Sequence, residues 1–222
     1  MHTVQPAITP TLANTIRSVT TPAEQELSVA YIETVQSPAG NEELRAMYER
    51  QRAHYGYLPN YAKVFCYRPE IMGLWAQLQS GIKRHMDRRR FELVTFAAST
   101  ALRSTLCSLA HGKQLTEFLS MQDIQAIARG ETPKSLSAAE AAMLIFGRKV
   151  ARDASAITAG DVELLKQHGF TDAEIFDISA AAAARSFWTK MLDSLGVEVD
   201  APFREMSPEF RDALTVGRPT DG

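Results

Sequence analysis

The chain is poor in cysteine, in net charge and in long apolar runs, and each shortage narrows what it can be. Only Cys66 and Cys107 occur among 222 residues. Two thiols make no disulfide framework, so a reducing cytoplasm is the default setting. The formal charge is -2 with the signs interspersed, which removes the electrostatic case for nucleic acid or an anionic membrane as partner. One cluster departs from this pattern: Lys83, Arg84, His85, Arg88, Arg89 and Arg90, read as a solvated helix junction. No apolar run approaches the roughly 18 residues that a bilayer span requires, and the N-terminus lacks the charged-then-apolar order of a secretion signal. Period-2 alternation is missing as well, which argues against strands. Cys107 and His111 can share a helix face, but no other His or Cys cluster completes a tetrahedral metal site. No metal and no cofactor is expected.

What is present reads as helix after helix. With 45% hydrophobic residues, a chain of this length can bury about 70% of its unfolded surface, enough for a core without staples. Residues 1–20, crowded with Thr and Pro, form an arm. Thr21-Pro22-Ala23-Glu24 is a capping box that opens a helix to about Gln36. These elements make an N-terminal arm over 1–40 containing one helix. Asn41 caps the next helix, Gly56 stops it, and Pro59 and Pro69 open two more, the second running to about Lys83. Asp87 can cap the helix that carries Glu92. Ser137 to Glu140 is a second capping box, Thr158 opens a short helix ending at His168-Gly169, and Thr171 to Glu174 caps a long last helix to Gly196. Its five alanines at 180–184 suit close helix packing. The reading is one all-α domain over 41–199. Beyond Val199, Pro202, Pro208, Gly217 and Pro219 mark a C-terminal tail over 200–222, placed to wrap a neighbouring subunit.

The chemistry concentrates between Glu92 and His111, where a carboxylate, a thiol and an imidazole fall within twenty residues on two helices joined at a tight corner. Ser104 is a good N-cap, its oxygen placed to accept from the Cys107 N–H. Cys107 then lies in a first helical turn, where the dipole favours a thiolate, with Arg103 as a nearby cation. His111, four residues on, shares a face with Cys107. The bland readings are a small buried cysteine, a surface glutamate and a core histidine. His54, His85 and His168 read as structural or solvent-facing, and Cys66 as a small buried residue.

This stretch resembles the signature of the alkylhydroperoxidase AhpD / carboxymuconolactone decarboxylase family. There a Glu is followed twelve residues later by Cys-x-x-Cys-x-x-x-His. Glu92, Cys107 and His111 match the Glu, the second Cys and the His, and Ser104 stands where the first Cys belongs. Leu106 replaces a histidine that often precedes the reactive Cys. Gly56, Pro59, Asn60 and Pro69 match an upstream F-G-x-x-P-N segment and the Pro that follows it. Asp172 to Ile175 and Leu195-Gly196 match a D-x-x-I element and a Leu-Gly stop, with Thr189-Lys190 in an Asn-Arg position. The resemblance spans roughly Leu44 to Gly196. It implies an AhpD-like helical bundle, assembly as a homo-oligomer, and a Glu–Cys–His proton relay. It also implies a small-molecule substrate, either a peroxide or a small organic acid.

Ser104 breaks the family's redox pair, and three readings follow. In the first, Cys107 reduces a peroxide with Glu92 and His111 handling protons, and an external thiol, or Cys66 if it lies close, regenerates it. The second is a decarboxylase-like enzyme acting on a small carboxylated lactone without redox chemistry. The third is a non-catalytic oligomeric relative.

Overall fold

The computed structural model describes residues 29–220, and among these it contains helices and no strand. The expected all-α architecture is therefore observed. Its centre is α4 (Arg88–Ala101), in which every residue from Phe91 to Thr100 is buried. A helix covered on all sides needs neighbours on all sides. These are α5 (Thr105–Leu115), α7 (Ala138–Asp153) and α9 (Asp172–Ser194), which all pack on α4. Three hydroxyls in this dry environment bond back along the helix: Thr95 Oγ1 to Phe91 O at 2.7 Å, Ser99 Oγ to Thr95 O at 2.7 Å and Thr100 Oγ1 to Ala97 O at 3.0 Å. Each is thereby spared the cost of an unpaired buried polar group.

The remaining helices enclose this centre. α1 (Glu42–Tyr55) begins at Asn41 and stops at Gly56, α2 (Asn60–Val64) follows Pro59, and α3 (Pro69–Lys83) starts on Pro69. α6 (Met121–Ala128) and α8 (Ala159–Gln167) are shorter. The side chains of Asn41, Asp87, Ser137, Thr158 and Thr171 each accept a backbone N–H, and the last three are full capping boxes. Half of the basic cluster is neutralised where these helices meet: Arg88 pairs with Glu117 at 2.7 Å, Arg89 with Glu140 at 2.6 Å and Arg90 with Glu174 at 3.0 Å.

Two expectations need correction. The opening of the helix expected over 21–36 lies outside the described residues, and the described part, 29–36, runs as bends and extended chain. Its backbone is satisfied elsewhere: Tyr31 N donates to Leu195 O and Val29 O accepts from Glu198 N, while the hydroxyls of Tyr67 and Tyr48 reach Glu33 O and Val35 O. The tail expected over 200–222 is, in its described part to Thr220, not an extended arm but folded back on its own chain. It forms α10 (Ala201–Arg204) and α11 (Pro208–Leu214), and Phe210 and Leu214 are buried where α11 meets α5 and α6. The chain then crosses the α4–α5 corner. A Cβ on Gly217 would lie 1.8 Å from Arg103 O, so only glycine permits that approach. No helix among the described residues is long and apolar enough to cross a membrane.

Candidate functional site

α4 and α5 meet at a corner closed by the backbone. Ser104 N donates to Ser99 O at 3.0 Å and Arg103 N to Thr100 O at 3.1 Å. This is the Schellman pattern, which needs a left-handed residue just past the helix end. Arg103 fills that position with φ 59. The tight turn lays α5 alongside α4, so Glu92 of one faces His111 of the other. Glu92 Oε2 and His111 Nδ1 are 2.7 Å apart, with Thr95 Oγ1 3.3 Å from the same nitrogen. The Glu92 side chain keeps 7% of its surface and that of His111 14%.

Burial by itself would raise the Glu92 carboxyl, but the charge and bond of His111, with Lys83 and Arg185 behind them, hold it below its ordinary value. Burial and the Arg185 charge push the His111 imidazole below its ordinary value, against the pull of Glu92. At neutral pH the pair is therefore an ionised carboxylate and a neutral imidazole. A carboxylate only accepts, so Nδ1 carries the proton and Nε2 is left as a base.

Cys107 lies one helical turn before His111 and is 1% exposed. Its neighbour is a residue that the sequence reading passed over. Arg185, on α9 and itself 5% exposed, brings Nη1 to 4.0 Å from the sulfur. Its guanidinium lies 5.8 Å from the centroid of Trp75, which stacks on Trp188 at 4.6 Å, and its Nε is buried without a hydrogen-bond partner. A signal for Arg185 existed: it sits on the buried stripe of α9 with Ile178, Ala181, Ala182, Trp188 and Leu192. A charge on an apolar stripe calls for a specific partner.

Three details of the expected thiol environment are corrected. Ser104 has the extended backbone of an N-cap, but its side chain makes no capping bond. Its hydroxyl, fully buried, finds no well-formed hydrogen bond, although it lies near enough to Cys107 and Asp193 to favour their ionised forms. Arg103 is not the thiol's cation, because its Nε turns to Val216 O at 3.2 Å. Finally, the thiol is not tuned downward: burial pushes it above its ordinary value, and Arg185 and Ser104 only partly offset this. Burial thus outweighs the neighbouring cation at this position.

The described residues group into two linked pairs, Glu92 with His111 and Cys107 with Arg185, and Arg185 acts electrostatically on every other member. Cys66 is buried and, like Cys107, free. His54, His85 and His168 are exposed. Among the described residues no three His, Cys, Asp or Glu side chains gather as metal ligands. A cleft of about 120 Å³ opens at the N-terminal turn of α5, lined by Thr105, Leu106, Asp193, Val199, Arg204 and Arg218 among others; Cys107, the residue after Leu106, is buried and does not line it.

No protein-family model and no curated protein sequence matches this chain. Solved structures do. An alkylhydroperoxidase AhpD core, an uncharacterized peroxidase-related protein from Ralstonia eutropha JMP134, superposes with a TM-score of 0.71 and 21% identity over 79% of this chain and 94% of that one. A peroxidase-related protein from Silicibacter sp. TM1040 gives 0.68 and 20% over 85% and 98%. The debrominase Bmp8 gives 0.66 and 15% over 84% and 97% in its apo form, and it has also been solved, as a variant, with 2,3,4-tribromopyrrole. At these identities the likeness establishes the fold, which is AhpD-like.

Proposed function

We propose that this chain, with its AhpD-like fold, is a thiol peroxidase that works through one cysteine. The observation that carries the reading is the buried cluster itself. Cys107, Glu92, His111 and Arg185 converge from three helices, and the Arg185 charge makes no ion pair with a carboxylate among the described residues. A Cys107 thiolate would supply the missing negative charge. The resting thiol passes its proton to His111 Nε2, and Glu92 steadies the imidazolium through Nδ1–H. The thiolate then attacks one peroxide oxygen and the O–O bond breaks. Cys107 becomes a sulfenic acid, and the departing alkoxide takes the proton back from His111. Arg185 holds the sulfur's negative charge while it exists. Ser104 offers no sulfur to resolve the product, so an external thiol restores Cys107.

The likeness to peroxidase-related proteins supports this reading, and the likeness to a debrominase marks the fold as a host for other chemistry. Apolar side chains left exposed on α3 and α9, Leu74, Leu78 and Phe187, support assembly as a homo-oligomer. The test is hydrogen peroxide added to Cys66→Ser protein, with dimedone as the trap and mass spectrometry as the readout. A single adduct on Cys107 is expected, and Glu92→Gln should slow its formation by about 10²-fold or more. Cys107→Ser with undiminished peroxide turnover would end the proposal.

The burial of Cys107 favours a second reading, a non-redox enzyme on a small organic acid. There Glu92 and His111 transfer protons while Cys107 only fills space. On that reading Cys107→Ser keeps activity and Glu92→Gln loses it.

A further inference from the structure

A cysteine with no resolving partner needs its reductant delivered, and the surface beside Cys107 is shaped for delivery. The cleft ends at Thr105 and Leu106, the two residues immediately ahead of Cys107. Its volume, about 120 Å³, lies below the roughly 300–1,000 Å³ of sites that enclose a whole drug-sized ligand, so it takes the charged end of a small molecule and leaves the rest outside. Val197 and Val199 give it apolar wall, 4% and 6% exposed. Charges of both signs line the rest. Arg204 and Arg218 stand among the positive groups, Asp193 and Glu198 among the negative ones. Arg204 is held by Glu198 at 2.8 Å. Arg218 gives Nη2 to the backbone oxygen of Asp193 at 2.6 Å and enters no ion pair among the described residues. The first turn of α5 also lacks a side-chain cap, so its N–H groups add partial positive charge at the end nearest Cys107.

We propose that this cleft docks the reducing co-substrate, a small zwitterionic thiol of amino-acid or short-peptide type. Its carboxylate meets Arg218 and the α5 N-terminus, and its ammonium meets Asp193 and Glu198. The proposal rests on the peroxidase reading above. The docked thiol attacks the sulfur of the Cys107 sulfenic acid. An S–S bond forms, the S–O bond breaks, and the hydroxyl leaves as water with the proton of the incoming thiol. A second molecule of the same thiol attacks the mixed disulfide, releasing the small disulfide and returning Cys107 to the thiol. Contact requires the wall over Cys107 to yield. The C-terminal segment, which lines the cleft through Arg218 and Pro219, is held against the same turn by Arg103 Nε to Val216 O at 3.2 Å and Gly217 N to Thr105 Oγ1 at 3.0 Å.

The experiment uses full-length Cys66→Ser protein oxidised with one equivalent of hydrogen peroxide. Mixed-disulfide formation is followed by mass spectrometry with glutathione and with 2-mercaptoethanol at matched thiolate concentrations. Glutathione should react at least about tenfold faster, in line with the binding energy of one charged contact. Arg218→Ala should erase that advantage, and Arg204→Ala, at a cation already paired with Glu198, should leave most of it. Equal rates for the two thiols in wild type would overturn the proposal. A second arm needs no redox step: S-methylglutathione, which cannot react, is titrated into reduced protein while the Thr105, Leu106 and Val199 amide resonances are observed. Shifts there without any dimedone adduct would uphold the docking site and sink the peroxidase reading. An adduct without shifts and without thiol preference would do the reverse.

Discussion

Arg185 decides more about the thiol than any residue on the thiol's own helix. A guanidinium taken out of water is costly, and a partner at 4.0 Å offsets that cost best when it is ionised. Arg185→Met keeps the stem's volume and removes the charge. Its effect on stability should be small or favourable, because replacing a buried charge with an apolar group of similar size is often neutral or better. Its effect on Cys107 should be large. The midpoint of iodoacetamide alkylation against pH, in Cys66→Ser protein, should move further upward, with a several-fold slower reaction at pH 8. A midpoint unchanged by this substitution would mean that Arg185 does not touch the thiol's ionisation. Glu92 and His111 were legible through the resemblance to the AhpD-type motif, while i,i+4 spacing alone gave only the shared face of Cys107 and His111. Arg185 was harder to see, since its meeting with Cys107 depends on how α9 crosses α5, which no local pattern encodes.

Among the elements, helix starts read true wherever a short polar side chain had only its own backbone to satisfy, as at Asn41, Asp87, Ser137, Thr158 and Thr171. Ser104 differs because it lies at the centre of the packed corner, between Cys107 and Asp193, and the turn is already closed by main-chain bonds. The non-helical course of 29–36 was illegible for a related reason: its backbone partners, Leu195 and Glu198, lie more than 160 positions away. The corner also carries a conformational cost. A left-handed arginine is disfavoured by about 1–2 kcal/mol, and glycine would not incur that cost. Comparing Arg103→Gly with Arg103→Ala removes the side-chain bond to Val216 from both. The glycine variant should be the more stable by about 1 kcal/mol, or roughly 2–4 °C in Tm. Calorimetry on the pair checks it, and an alanine variant equal to the glycine one would refute the strain.

Over the whole molecule, the part that closes the fold also sets its pH response. Asp200, 5% exposed, accepts from Asn60 N at 2.7 Å, while Asn60 Nδ2 reaches Glu198 O at 3.2 Å. This joins the chain after α9 to the start of α2. Burial lifts the Asp200 carboxyl to about 6, against the pull of that N–H. A raised folded value means that the fold favours the proton. The contribution is complete below the unfolded value of 3.8 and is lost as pH rises through about 6. Asp200→Asn keeps an acceptor for Asn60 and carries no charge. It should match wild type near pH 4 and exceed it at pH 8 by up to about 3 kcal/mol, an upper bound from 1.36 kcal/mol per pH unit. Urea denaturation at the two pH values reads the difference, and a constant offset would assign the effect to packing instead.

The C-terminal segment that crosses the α4–α5 corner gives the molecule a temporal order as well as a shape. Residues 216–218 bond to the α4–α5 corner, to α5 and to α9, so those elements have to meet before the segment can dock on them. Docking of this segment is thus a late step of folding, and it completes the cleft that Arg218, Pro219 and Thr220 line.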